Sequence, residues 1–87
     1  MFVVLAYDVQ VKRVSKVRKT VKKYLFAAQK SVFEGHLTEG TLNRLKKELL
    51  GLIDAEQDSI LIYKSSYPGI MIKESIGRVQ TEDPMFL

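Results

Sequence analysis

The segment Phe2–Asp8, FVVLAYD, decides the fold of this 87-residue chain. Residues 2–7 are apolar without interruption, over a length typical of a β-strand, and Asp8 ends the run with a charge. An apolar run of this length without alternation is typical of a strand that is buried on both faces. We therefore predict a central strand here, in a sheet that needs cover on each side.

A basic helix is predicted directly after this strand, from Val11 to Leu25. Its apolar residues recur at helical spacing, and so do cations on another face, namely Lys12, Lys16, Lys19 and Lys23. Between Val9 and Phe33 there are eight basic residues and no acid. Such a stripe is either a solvated helix face or a contact surface for a polyanion, because clustered cations displace counterions from phosphate chains. Both interpretations stay open at this point.

The second half of the chain predicts another helix and two more strands. Thr38 is a good N-cap residue, and a leucine stripe follows it at helical spacing. The run 58–64, DSILIYK, predicts a second strand that is apolar on both faces, and the isoleucines of 70–76 predict a last one before Gly77. With a strand at 29–35, QKSVFEG, the order is strand, helix, strand, helix, strand, strand. This order predicts an α+β sandwich with both helices on one face of a mainly antiparallel sheet.

The second face of that sheet needs a cover, since two helices on one face cannot reach the other. The simplest cover is a second copy of the chain related by a two-fold axis, so we predict a homodimer through the open face. Replacing Leu5 or Ile62 by Asp is then expected to dissociate or unfold it. We treat residues 1–87 as one domain, in which 77–87 form a C-terminal extension packing on the partner subunit; a disordered tail is the alternative.

Composition narrows the class of protein. The chain has no cysteine, which excludes disulfides and thiolate metal sites and fits a reducing compartment. The apolar start lacks the basic region of a signal peptide, and no run reaches the roughly 20 apolar residues of a membrane span. We therefore expect a cytoplasmic protein that does not enter a membrane. The net charge of +4 is modest, but its concentration in one block favours a nucleic-acid partner.

Taken together, the order and spacing of these segments resemble the CRISPR-associated Cas-two family. The resemblance rests on the strand ending in Tyr7-Asp8, the basic helix containing VRK at 17–19, the QxSVFEG pattern at 29–35, the LTEGTLNRL helix at 37–45 and the strand DSILIYK. It implies a ferredoxin-like dimer that joins the Cas-one integrase to duplex DNA during spacer acquisition. It also implies a strand at QKSVFEG with Val32 and Phe33 in the core, and Asp8 as the metal ligand for phosphodiester cleavage.

Asp8 is the candidate catalytic and metal-binding residue. Strand alternation places it on the same side as Val4 and Ala6, so a two-fold axis on that side would bring two copies of Asp8 together. Paired carboxylates repel each other unless a divalent cation lies between them, and Mg²⁺ suits a site of one or two carboxylates and several waters. His36, the only histidine, has no acid or nucleophile placed with it, and we predict a solvated ring.

Three functions follow from these residues. The first is a scaffold that binds duplex DNA, or alternatively RNA, through Lys12, Lys16, Lys19 and Lys23, with Arg13 and Arg18 as further phosphate contacts. The second is a free-standing Mg²⁺-dependent endonuclease of the toxin type, acting on RNA or DNA. The third is an RNA-binding module, which would need exposed aromatics on its sheet. We favour the scaffold, because one carboxylate per chain is sparse for a metal nuclease.

Overall fold

The structure is a computed structural model that describes residues 1–67 and 69–78. The elements, in chain order, are β1 (Phe2–Asp8), α1 (Val11–Val21), β2 (Phe26–Gln29), β3 (Val32–His36), α2 (Glu39–Leu50), β4 (Ser59–Tyr67) and β5 (Ile70–Gly77). The strands form one sheet in the order β2-β3-β1-β4-β5, and every neighbouring pair is antiparallel. The predicted α+β ferredoxin-like class and the central place of FVVLAYD are confirmed.

One face of the sheet carries the core. Val3 and Leu5 of β1 and Ile60 and Ile62 of β4 are fully buried on the side that α1 and α2 cover, together with leucines of α2. Because Leu5 and Ile62 face the helices, substitutions there test the core of one subunit, and the open face must be tested elsewhere.

The other face of β1 is only half covered. Val4 and Ala6 are half-buried, and their partners across the β1–β4 ladder are Tyr63 and Leu61, which are half-buried as well. The strands are therefore apolar on both sides, as predicted, but the residues that the structure describes cover only one side. The predicted homodimer remains a prediction, and so does the packing of 77–87, most of which lies outside the described residues.

The predicted boundaries are wrong in β4, which continues past Lys64 to Tyr67, and in two further places. The first helix ends at Val21, because the next amides, Lys23 and Tyr24, donate to carbonyls three residues back, those of Thr20 and Val21, at 3.1 and 3.0 Å, and not to carbonyls four residues back. Leu25 is nevertheless buried, so its spacing identified a core residue and not a helical one.

The second difference is an additional strand, β2, so QKSVFEG is not one strand. Gln29 ends β2, a turn follows, and β3 begins at Val32. Phe33 is fully buried, as the resemblance implied, whereas Val32 is half-buried on the open side. The FAAQ sequence of β2 is exposed throughout, and an exposed edge strand lacks the apolar alternation by which strands are recognised.

The second helix follows its sequence signals. Thr38 is the N-cap, and its Oγ1 accepts from the Thr41 amide at 3.1 Å. Leu37 and Leu42 are both buried at the spacing of a hydrophobic staple. This helix therefore starts where the cap residue predicts.

Candidate nucleic-acid interface and carboxylate site

Asp8 lies at the end of β1, on the open side of the sheet. It pairs in register with Ser59 of β4, and its side chain is 76% exposed. The neighbouring cation is Arg78, whose Nη2 lies 3.6 Å from Asp8 Oδ2. The strand thus presents a carboxylate to the outside, next to the half-buried apolar surface.

Within residues 1–67 and 69–78, no group of three or more His, Asp or Glu side chains is placed to hold a metal ion. Asp8 alone offers one hard oxygen ligand of the kind that Mg²⁺ prefers. A site made from one chain would therefore hold the ion mainly through water, and a second Asp8 from another copy would double the protein ligands. The donor chemistry fits Mg²⁺ best when two chains meet at Asp8.

A cavity of about 260 Å³ opens beside this carboxylate. Its lining residues are Tyr7, Asp8, Val9, Val14, Lys30 and Ser31. The turn between β2 and β3 reaches the cavity because the Tyr7 amide donates to the Ser31 carbonyl at 3.1 Å. Lys30 and Ser31 of this turn therefore line the same cavity as Asp8.

The chain just after Asp8 is anchored by Asp58, a fully buried carboxylate. Asp58 accepts from Arg13 Nε at 2.5 Å, and also from the backbone amides of Gln10 and Asp54, each at 2.9 Å. The Arg13 hydrogen bond, supported by these two amides, holds the pKa of Asp58 well below its usual range in spite of its burial. The turn between β1 and α1 is therefore held by an ionised, fully paired group.

The predicted nucleic-acid-binding cations do not share one environment. The Arg13 side chain is only 16% exposed, and its guanidinium also reaches the Gln57 side chain at 3.0 Å. Arg18 donates to the Lys30 carbonyl at 3.0 Å, and its guanidinium lies 5.4 Å from the centroid of the Phe33 ring. Arg13 therefore has a structural role, and part of the hydrogen-bonding capacity of Arg18 is used within the chain.

The lysines of the stripe also differ in whether they contact another side chain. Lys23 forms an ion pair with Glu48 at 2.5 Å, and the Tyr24 hydroxyl donates to the same carboxylate. Lys12, Lys16 and Lys19 are exposed, and they form no hydrogen bond or ion pair with another residue of the described chain. Three cations on α1 are thus available to an external anion.

Sequence reasoning missed Arg78 and Lys30 as neighbours of Asp8. Lys30 was visible as part of the basic block, but the fold of the β2–β3 turn had to be known before it could be placed near the carboxylate. Arg78 carried no signal, because its position depends on the pairing of β5 with β4.

Among the aromatic side chains that the structure describes, those of the sheet do not form an open stacking surface. Tyr7 is 8% exposed and stacks on Phe33, and Phe2 packs edge-on against His36 with ring centroids 5.2 Å apart. Phe26, at 79% exposure, lies on the outer strand β2. The described rings therefore form no row of adjacent exposed aromatics of the kind that binds single-stranded RNA.

None of the helices in the described part of the chain is both long and apolar enough to cross a membrane.

Comparison with known proteins gives a consistent result. Residues 1–75 match the family model for CRISPR associated protein Cas2, the Cas-two family. The chain is 40% identical to the CRISPR-associated endoribonuclease Cas2 of Thermotoga maritima over 83 residues, which is 95% of each protein. It is 42% identical to the protein of that name from Methanocaldococcus jannaschii, over 88% of this chain and 68% of the relative.

Solved structures agree with the sequence relatives. A crystal structure of Cas2 matches with a TM-score of 0.74 and 38% identity, covering 100% of this chain and 98% of the other. The structure of Streptococcus pyogenes Cas2 at pH 6.5 matches with a TM-score of 0.69 and 33% identity, covering 76% and 87% of the two chains.

Proposed function

Because this chain belongs to the CRISPR-associated Cas-two family, we propose that it is a cytoplasmic adaptation protein. In this proposal it is a homodimer that binds duplex DNA and joins it to the Cas-one integrase during the acquisition of new spacers. Endonuclease activity at Asp8 is the second candidate function. The two functions use different residues and can be separated by mutation.

The observation that carries the scaffold proposal is the set of available lysines on α1. Lys12, Lys16 and Lys19 are exposed and lie at helical spacings of four and three, so they follow one face of the helix. Arg13 and Lys23, by contrast, each form an ion pair with an acid of the same chain, Asp58 and Glu48 respectively. A row of cations that have no partner in residues 1–67 and 69–78 supports binding to phosphates, which carry charge but no sequence information.

The open face of the sheet supports the dimer. Val4, Ala6, Leu61 and Tyr63 form an apolar patch that is half-buried in the single chain. A second copy placed face to face would remove this patch from water, at roughly 25 cal/mol per Å² of apolar surface. The same placement would bring the two copies of Asp8 towards the axis, because Asp8 follows Val4 and Ala6 on this side.

One observation favours the second candidate, a metal-dependent endonuclease. Asp8 is exposed at the edge of the proposed interface, beside a cavity that also contains Lys30 and Ser31. Two copies of Asp8 would hold Mg²⁺, which when bound supplies an activated water for attack on a phosphodiester. Lys30 and Arg78 would hold phosphate near the carboxylate, and the relatives from Thermotoga maritima and Methanocaldococcus jannaschii carry the name endoribonuclease.

The salt dependence of DNA binding tests the lysine surface. Replacing Lys12, Lys16 and Lys19 by Ala should reduce the slope of log K against log [salt] by about 2.7 if each neutralises one phosphate. The matched control replaces Arg44 and Lys47, two exposed cations of α2, by Ala. Fluorescence anisotropy with a labelled duplex over a range of NaCl concentrations measures the slope. An unchanged slope in the triple variant would make the stripe a solvated face.

Asp8→Asn separates the two candidate functions. The neutral amide removes the negative charge that would hold Mg²⁺ but leaves the lysines and the apolar patch in place. We expect loss of any Mg²⁺-dependent cleavage, with dimer formation, integrase binding and spacer integration retained. Light scattering after size exclusion, with and without the cognate integrase and duplex DNA, measures assembly. Loss of integration in a variant that still assembles would favour the nuclease as the main function.

A further inference from the structure

The buried carboxylate of Asp58 connects the turn that follows β1 with the segment that precedes β4. Its two oxygens accept four hydrogen bonds: two from the Arg13 guanidinium, at 2.5 and 3.1 Å, and one each from the amides of Gln10 and Asp54. The group is fully buried, and all of its partners are donors. Such a carboxylate has little freedom to move, because each displacement would leave a buried donor unpaired.

One of these partners lies next to the candidate site. Gln10 is two residues after Asp8, and it is the residue at which the chain turns from β1 into α1. Arg13, in the first turn of α1, is held by the same carboxylate. Asp58 therefore fixes the segment that leaves β1, immediately after the exposed carboxylate.

The backbone of Asp58 acts on the other side of the site. Its carbonyl accepts from the Arg78 amide at 2.7 Å. Gly77 allows this contact: its φ is +88°, and a Cβ atom added there would lie 2.3 Å from the Asp58 carbonyl oxygen. Arg78, whose guanidinium is 3.6 Å from Asp8, is thus placed by the same residue that anchors Gln10.

We propose that Asp58, held by Arg13, is a positioning residue for the Asp8 site, since it fixes the chain on both sides of the exposed carboxylate. Its side chain holds the turn after Asp8, and its carbonyl holds Arg78. Asp58 does not touch a substrate, because it is buried. The effect of Asp58 on activity rests on the proposed endonuclease function. The effect of Asp58 on the structure rests only on the contacts described above.

The test compares Asp58→Asn and Arg13→Lys with Glu48→Gln in the full chain. Asparagine replaces one acceptor oxygen by an NH₂ group, and lysine cannot supply both guanidinium bonds. Glu48→Gln weakens the contact with Lys23 and Tyr24, which lies outside the Asp8 environment, and serves as the control. Cleavage of labelled RNA and DNA oligonucleotides with Mg²⁺ gives kcat and KM, and urea unfolding gives the folded fraction.

We expect kcat to fall about 10- to 100-fold in Asp58→Asn, as is typical of small misplacements of a reacting group, with KM changed less than about twofold because the lysines still bind. Arg13→Lys should lie between this variant and the wild type, and Glu48→Gln should keep the wild-type kcat. A fall in kcat that only matches the loss of folded protein would overturn the proposal.

Two measurements do not depend on cleavage. Amide exchange by NMR should be at least about tenfold faster at Gln10 in Asp58→Asn, because its acceptor is the carboxylate, with the Leu5 amide as internal reference. Titration with Mn²⁺ alone should broaden the signals of residues 8–10 at lower concentration in the wild type than in Asp58→Asn. If the wild type neither cleaves nor binds Mn²⁺, the endonuclease function fails, and amide exchange decides whether Asp58 positions these segments. Unchanged exchange at Gln10 would overturn the positioning role itself.

Discussion

The two faces of β1 differ in how far the rest of the described chain covers them. On one face, Val3 and Leu5 are fully buried under the two helices of their own chain. On the other face, Val4 and Ala6 are equally apolar but only half-buried. The comparison shows that an uninterrupted apolar strand predicts two covers without saying where each one comes from; the described residues supply only one of them.

Two carboxylates show the same contrast. Asp58 is fully buried with four hydrogen bonds, whereas Asp8 is 76% exposed with one ion pair at 3.6 Å. They lie close together, because the register partner of Asp8 is Ser59, the residue after Asp58. Asp58 stabilises the fold, and Asp8 is accessible to an external ligand.

The largest effect is expected on the covered face. Leu5→Asp places a carboxylate without a partner in the core, and should cost about 5 kcal/mol or more, enough to unfold a domain of ordinary stability. Circular dichroism with urea unfolding measures the loss, and Ala28→Asp on the exposed strand β2 is the control. A folded Leu5→Asp subunit that merely fails to dimerise would show that the two faces have been assigned the wrong way round.

On the open face, the corresponding change should leave the subunit folded. Leu61→Asp would bury two uncompensated carboxylates in a two-fold interface, and should weaken dimerisation by about 1000-fold. Sedimentation over a dilution series measures the dissociation constant, and Asn43→Asp adds the same charge on α2 as a control. If Leu61→Asp is as dimeric as the parent, the open face is not the interface.

The buried acid should control stability at low pH. Asp58→Asn is expected to cost about 3 kcal/mol near neutral pH, because Arg13 loses its charged partner. The folded pKa of Asp58 lies below its unfolded value, so its contribution is complete above about pH 4 and is lost as the pH falls through the folded pKa. Urea midpoints between pH 2 and 7 should therefore fall less steeply on acidification in the variant. Equal slopes would show that Asp58 is not paired in this way.

The smallest effect is expected at the exposed acid. Asp8→Asn should change the unfolding free energy of the subunit by less than about 0.5 kcal/mol, because surface ion pairs contribute little. Differential scanning calorimetry measures it beside Asp58→Asn. A large loss of stability would mean that Asp8 belongs to the fold in the way Asp58 does.

The elements that sequence predicted well are those whose signal is local. The run FVVLAYD gave a central strand, Thr38 gave the start of α2, and alternation placed Asp8 on the side of Val4. β2 was missed because all four of its residues are exposed, so no apolar pattern marks it.

The role of Arg13 could not be predicted from its surroundings in sequence. It sits among cations with no nearby acid, and its partner Asp58 is 45 residues away. Only the fold brings the two together, and the same holds for Arg78 beside Asp8. The spacing of charges along a helix identifies its cations. Whether each cation can bind an external anion depends on contacts with residues that are distant in the chain.

The position of β1 in the sheet has a consequence for synthesis on the ribosome. Its two neighbours are β3 and β4, and β4 begins 57 residues after β1 does, Phe2 against Ser59. At about 5 to 20 residues per second, roughly 3 to 11 seconds pass between the translation of the two strands. During that time FVVLAYD has no partner on its β4 side, so the nascent chain exposes its most apolar segment. This interval makes the first strand a natural binding segment for chaperones that recognise extended apolar chains.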